Sequence, residues 1–182
     1  MSNPYDLILR DGTVVNHEGI GLRDIGVRDG RITGLGNLSG ADAAEVINAH
    51  GLTILPGVID TQVHFREPGA EHKEDLATGS LAAVMGGVTA VFEMPNTSPE
   101  TVTAAALEDK LARAHGRMYC DHAFWVGGTV DNAEEIPELE RLPGAAGIKV
   151  FMGSSTGDLL VADDEGVRRI LSRTRRREAH ED

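Results

Sequence analysis

The sequence predicts an α/β fold, a small β-unit followed by strands that alternate with helices on a parallel sheet. Three observations carry this reading. Two Asp-Gly pairs sit between β-prone runs in the first fifty residues. From about residue 51, four apolar runs alternate with helical patterns, as βαβ units require. Each run ends in polar or special residues, and parallel α/β folds gather function at the carboxyl ends of their strands.

In the first unit, Asp6–Arg10 leads through Asp11-Gly12 into Thr13–Val15, and Asp24–Arg28 leads through Asp29-Gly30 into Arg31-Ile32. An Asp-Gly pair between β runs is a strong hairpin signal, because a type I′ turn needs positive φ at both central residues. Residues 1–52 are expected to be an antiparallel β-unit and residues 53–182 an α/β domain. The later strands are expected at Leu52–Ile59, Val88–Phe92, Tyr119–Val126 and Gly147–Met152. The first intervening helix is the Ala-rich Glu74–Met85. The second opens at Ser98-Pro99-Glu100, a cap, a Pro at the first helical position and an acid, and aligns Ala104, Leu107, Leu111 and Ala114. The third starts from Asp131 and Glu134 as a capping box and is shortened by Pro137. The last starts at Asp163 and aligns Val167, Ile170, Leu171 and Thr174.

Composition narrows the function classes. Hydrophobic residues at 41% and charged residues at 25% describe a globular chain, neither disordered, collagenous nor membrane-spanning. No stretch approaches the ~18 apolar residues of a membrane helix. Met1–Arg10 lacks a secretory pattern, so the expected location is the cytoplasm. A net charge of -12, with the acidic excess in the middle of the chain, disfavours nucleic acid and anionic membranes as partners. The lone Cys120 excludes an intramolecular disulfide and a multi-Cys zinc site. Glycine, 22 of 182 residues against a usual ~7%, implies many tight turns.

The strand ends hold the candidate chemistry. Gln62 and His64, two apart on an extended segment, point to one side. Imidazole suits zinc and a Gln carbonyl donates more weakly, so the pair reads as metal ligands or as a solvated loop. Asp60 falls on the same side and could orient a ligand. Lys149 stands among Ile148, Val150 and Phe151. Such a lysine is either paired with a carboxylate, or neutral and able to take up carbon dioxide as a carbamate. Arg66 offers a fork to a substrate carboxylate, or pairs with Glu67. Asn96 offers a donor and an acceptor to substrate, or closes an Asx-turn. Gly153-Ser154-Ser155-Thr156-Gly157 lacks the Gly-Lys-Ser/Thr ending of a phosphate loop and reads as a strand-to-helix connection. Arg173 with Arg175, Arg176 and Arg177 reads as a solvated helix end. His17, His50, His72, His115, His122 and His180 have no partner spacing.

These residues resemble a known family. Gly51 to Asp60, continuing through His64-Phe65-Arg66-Glu67-Pro68-Gly69, is similar to the first barrel strand of the dihydroorotases, which belong with the hydantoinases and allantoinases among the amidohydrolases. Gly86-Gly87-Val88-Thr89 and Glu93-Met94-Pro95-Asn96-Thr97 resemble the second strand, and Gly147 to Met152 the fourth. The Phe-Arg-Glu-Pro-Gly and Met-Pro-Asn-Thr pieces favour dihydroorotase. The resemblance implies about half of a (β/α)8 TIM-type barrel, its first four βα units at 53–182, preceded by part of a β-sandwich at 1–52. It implies one or two zinc ions held by His64, by Gln62 where the family has His, and by Lys149 as a bridging carbamate. Arg66 and Asn96 would hold the substrate carboxylate.

The function so implied is a zinc hydrolase that opens dihydroorotate to carbamoyl aspartate, with a small cyclic amide as its partner. Family members carry further His ligands on the fifth and sixth strands and an Asp on the eighth, which these motifs do not reach, so no catalytic base is assigned. The chain is accordingly expected to be incomplete by itself, acting as an oligomer or with a complementing half. The alternatives are an allantoinase or hydantoinase, and a non-catalytic dihydroorotase-like subunit or fragment.

Overall fold

The computed structural model describes residues 4–153 and 159–174. Residues 154–157 of the strand-to-helix loop, Arg175–Arg177 and His180 lie outside them. The chain divides into two compact units, Met1–Pro56 and Gly57–Asp182.

The first unit is a sheet of β1 (Tyr5–Asn16), β2 (Gly19–Arg28), β3 (Arg31–Gly36), β4 (Ala43–Asn48) and β5 (Thr53–Ile54), in the order β3-β2-β1-β4 with β5 also on β1. The expected antiparallel unit proves to be mixed: β1, β2 and β3 pair antiparallel, whereas β4 and β5 run parallel to β1. The two Asp-Gly pairs differ. Asp29-Gly30 is the expected two-residue turn, with φ of 51° and 70° between paired Arg28 and Arg31. Asp11-Gly12 is instead a bulge inside β1, where the register jumps from Leu9 opposite Ile25 to Gly12 opposite Arg23. Positive φ serves bulges as well as turns, and here Asp24 takes the freed Asp11 amide at 2.9 Å. That carboxylate also accepts from Leu38 at 2.8 Å, and these amides hold its pKa below the ordinary value. Strand β1 turns only at His17-Glu18, where Asn16 caps the Glu18 amide.

The expected strand Leu52–Ile59 is two elements. Its first part is β5, and after Leu55-Pro56-Gly57 the chain enters a second sheet with β6 (Val58–Val63). The second unit continues as α1 (Leu76–Met85), β7 (Val88–Glu93), α2 (Ala104–Ala114), β8 (Asp121–Gly127), α3 (Ile136–Leu139), β9 (Ala145–Lys149) and α4 (Asp164–Arg173). Its strands lie in the order β6-β7-β8-β9, all parallel. This is the expected succession of four βα units, as in part of a (β/α)8 barrel.

Local chemistry starts each helix. Asp75 and Thr78 form a capping box for α1. Helix α2 begins later than Ser98-Pro99-Glu100 predicts: Thr103 caps it through the Ala106 amide at 3.2 Å. The intervening residues are tied down first, Thr101 by its amide to the Pro95 carbonyl and by its carbonyl to the Gly127 amide. The Asp131 and Glu134 box does not form either. Asn132 organises that turn, accepting from the Thr129 amide and donating to the Val102 and Gly127 carbonyls. Pro137 sits in the first turn of α3, where it costs no hydrogen bond. Asp163 caps α4 at the Gly166 amide, as expected.

Between the second sheet and its helices lies the main core: Phe65, Leu76, Val91, Leu107, Ala114, Phe124, Val126 and Leu139. Ala133, Ile136, Val161 and Ile170 form a second cluster under α3 and α4. No helix among the described residues is long and apolar enough to cross a membrane. Leu107 is 1% exposed, so Leu107→Ala is expected to cost about 2–5 kcal/mol of stability. Urea unfolding followed by far-UV circular dichroism measures this.

Candidate active site

The core decides which way each strand residue faces. Along a strand, successive side chains alternate between faces. Val63 and Phe65 pack with the helix-side core, which puts Gln62 and His64 on the opposite, inner face. Val91 on β7, and Phe124 and Val126 on β8, do the same for Phe92 and Trp125. On β9, Ile148 packs against both clusters and leaves Lys149 to the inner face. Trp125 confirms the curl of this face: its indole nitrogen reaches past β7 to donate to the Thr61 carbonyl at 2.9 Å, edge-on to Phe92 at 6.4 Å. Gly147, with φ of 142°, has no space for a side chain beside that indole.

Strand β6 is not regular. Register shifts interrupt it between Val58 and Ile59 and again between Asp60 and Val63. The Asp60 carboxylate turns back to accept the Gln62 amide at 3.0 Å, so it stabilises its own bulged backbone rather than a ligand's ring. The alternation that would place Asp60 with Gln62 and His64 is therefore broken.

His64 and Asn96 meet, from the ends of β6 and β7. The distance from His64 Nδ1 to Asn96 Oδ1 is 2.9 Å. A carbonyl oxygen only accepts, so Nδ1 donates in this contact, and a neutral imidazole so held has its lone pair on Nε2. An imidazole held this way is prepared to bind a metal or accept a proton at Nε2. The turn carrying Asn96 is pinned to β6 by the Met94 amide on the Val63 carbonyl at 2.9 Å. Lys149 is on the far edge strand, three strand spacings or roughly 14 Å along the sheet. Its ammonium lies 5.2 Å over the Phe151 ring and has no carboxylate partner among the described residues. Of the two alternatives for Lys149, pairing with a carboxylate is not seen among the described residues, and no contact joins Lys149 to His64.

The Phe-Arg-Glu-Pro-Gly stretch divides by role. Phe65 enters the core. Glu67 is gripped by Arg117 at 2.7 and 2.9 Å, approached by Arg113 at 3.6 Å, and accepts the Leu76 amide at 3.1 Å. Arg117, then that amide, hold its pKa below the ordinary value despite burial. Gly69, with φ of 105°, lets the Ser98 backbone press close, and the Ser98 amide bonds the Pro68 carbonyl at 3.0 Å. Glu67 is thus engaged elsewhere and does not pair with Arg66. Half-buried Arg66 is near enough to Glu93 for its charge to favour that carboxylate.

One pair escaped the reading of the sequence. Lys110 and Glu93, each 1% exposed, form an ion pair of 2.6 Å beneath the end of β7. Lys110 also donates to the Met94 carbonyl at 3.2 Å and lies 5.5 Å over the Phe124 ring. Burial pushes the Glu93 pKa up to about 7 against the opposing charge of Lys110, and burial draws Lys110 down. The signal was present: Leu107, Lys110, Leu111 and Ala114 follow the i, i+3, i+4, i+7 spacing of a buried helix stripe. Among the described residues, no three His, Cys, Asp or Glu side chains are placed to hold a metal ion.

Known proteins resemble this arrangement. A sequence profile described as dihydro-orotase-like matches residues 51–152. An allantoinase of Desulfitobacterium hafniense (strain Y51) is 43% identical over 148 residues, which cover 81% of this chain and 33% of that protein. An allantoinase of Rubrobacter xylanophilus is 42% identical over 164 residues, covering 88% and 35%. The solved L-hydantoinase (dihydropyrimidinase) from Arthrobacter aurescens superposes with a TM-score of 0.82 at 32% identity, covering 91% of this chain and 37% of that one. The chain spans about a third of the length of the curated relatives it matches.

The Glu93 pKa makes a stability prediction. Its folded value of about 7 exceeds the ordinary 4.5, so the contribution of this group is whole below pH 4.5 and is lost as pH rises through 7. The stability advantage of the wild type over Glu93→Gln is expected to be larger at pH 5 than at pH 8, measured by urea unfolding at both.

Proposed function

This chain belongs to the dihydro-orotase-like amidohydrolase family, and we propose that it forms the N-terminal portion of a hydrolase opening a cyclic ureide of the allantoin or hydantoin kind. The observation that carries the reading is the His64–Asn96 contact at the strand ends, with Gln62 and Lys149 on the same inner face. Water adds to a ring carbonyl and the ring C–N bond breaks, leaving a carboxylate and an open ureido chain. Asn96 would hold His64 in one tautomer, and Arg66 would donate to the ring carbonyl oxygens. The allantoinase and hydantoinase relatives favour a ureide over the dihydroorotate that the sequence motifs suggest.

A second reading retains dihydroorotate. It is supported by Arg117 occupying Glu67, which leaves the Arg66 fork unclaimed by that neighbour, so that it would be able to take a substrate carboxylate.

Proteins of this family generally use metal ions, which polarise the amide and activate water. The residues present do not fit a binuclear zinc centre as they stand. His64 is one conventional donor, Gln62 offers a weak carbonyl, and Lys149 donates only after taking up carbon dioxide. One or two zinc ions and a Lys149 carbamate therefore stay part of the proposal only together with donors from beyond these residues, from a complementing half or another copy.

A substrate panel tests the reading. A protein carrying these residues, supplied with zinc and bicarbonate, is expected to open allantoin or hydantoin at least about tenfold faster than dihydroorotate, the selectivity one polar contact can supply. Turnover of dihydroorotate alone installs the second reading. Turnover of none of the three indicates a non-catalytic subunit.

A further inference from the structure

We propose that Lys110, on the outer helix α2, is a positioning residue of this site: it fixes the turn Met94-Pro95-Asn96 so that Asn96 meets His64. This rests on the reading of His64 as the working imidazole.

A lysine at this place is not explained by stability. The position belongs to the apolar stripe of α2, and a buried ion pair is often no better than well-packed apolar residues. The pair is also imperfect, because buried Glu93 Oε1 has no hydrogen-bond partner among the described residues. What an ammonium does here, and an apolar side chain cannot, is donate to two acceptors in fixed directions. One is Glu93, the last residue of β7, at 2.6 Å, and the other is the Met94 carbonyl at 3.2 Å.

The Met94 residue is thereby held at both ends, its amide by the Val63 carbonyl of β6 and its carbonyl by Lys110 of α2. Pro95 has a restricted φ, and its carbonyl takes the Thr101 amide at 2.9 Å. Two residues beyond Lys110's acceptor, the Asn96 carbonyl oxygen stands 2.9 Å from His64 Nδ1. The path from α2 to the imidazole is thus a run of direct hydrogen bonds with one short, stiff turn between them.

The test reads the His64 tautomer by long-range proton–nitrogen correlation, which needs neither substrate nor metal. In the wild type, Nδ1 is expected to carry the proton. Asn96→Ala reports what loss of the contact does to that tautomer. The relay variants are Lys110→Met and the double variant Glu93→Gln with Lys110→Met. The double variant leaves no lone buried charge and keeps the fold testable if Lys110→Met unfolds. In the folded double variant, with its urea midpoint measured in parallel, the ratio of Nδ1–H to Nε2–H is expected to fall at least about fivefold, as in Asn96→Ala, the worth of one hydrogen bond. A folded double variant that keeps the wild-type ratio overturns the proposal, because a merely structural Lys110 would move stability and leave the tautomer alone. If the substrate panel fails while the tautomer shifts, only the ring-opening reading is lost.

Discussion

Covering one face of a parallel sheet with helices commits the other face as well. Side chains alternate, so each residue that goes under a helix sends its neighbour to the opposite side. Val63, Val91, Phe124, Val126 and Ile148 fill the helix-side layer. The residues between them, Gln62, Phe92, Trp125 and Lys149, are left on the inner face. The site therefore takes its orientation from the core, and the hydrophobic effect that packs the helices also aims the polar groups. The bulges of β6 adjust this rule locally, as does a register shift between β8 and β9 at Phe124 and Trp125, and Asp60 supports the β6 adjustment by accepting the Gln62 amide.

Two carboxylates hold the loops that carry the site, and their environments push them in opposite directions. Glu67 receives two guanidinium groups and a helix-terminal amide, and is held below its ordinary pKa. Glu93 has one ammonium and almost no water, and is pushed up to about 7. Desolvation acts on both: it is the largest effect at Glu93, whereas at Glu67 the Arg117 hydrogen bond outweighs it. Both are anchored from the same region, by Lys110 and Arg113 of α2 and by Arg117 just after it. Helix α2 thus braces the turn with Asn96 and the turn with Arg66 together, although it contributes no residue to the inner face.

The donor set gives the site its particular character. An Nδ1-anchored imidazole is an arrangement suited to metal chemistry, whereas the carbonyl of Gln62, proposed as its companion donor, is a weak ligand. The chain matches about a third of its allantoinase relatives, and its four parallel strands place His64 and Lys149 on opposite edges of one sheet. A barrel mouth is built from the ends of several strands, so groups contributed by others are integral to such chemistry.

Several features were legible in the residues alone, and each rests on local physics. The alternation of four β runs with helices, the Asp163 cap, the Asp29-Gly30 turn and the polar strand ends all follow from dihedral preference and hydrophobic period. The same local signals misled where two structures share one preference. Positive φ at Asp11 serves a bulge because Asp24 is there to take its amide, and Ile54 packs against the bare Gly12 beside it. Ser98 loses the helix cap to Thr103 because residues 95–101 are first tied to the ends of β7 and β8. The run Leu52–Ile59 divides at Pro56-Gly57 because two sheets claim its halves.

The sequence by itself determined the class of fold, the family motifs and the identity of His64, Arg66, Asn96 and Lys149 as the residues to watch. Only the tertiary structure decided who holds whom: Arg117 rather than Arg66 on Glu67, Asn96 on His64, and Lys110 on Glu93. The physical reason is distance along the chain. These partners lie 17 to 50 residues apart, beyond the reach of any periodicity, and meet only when the core has packed.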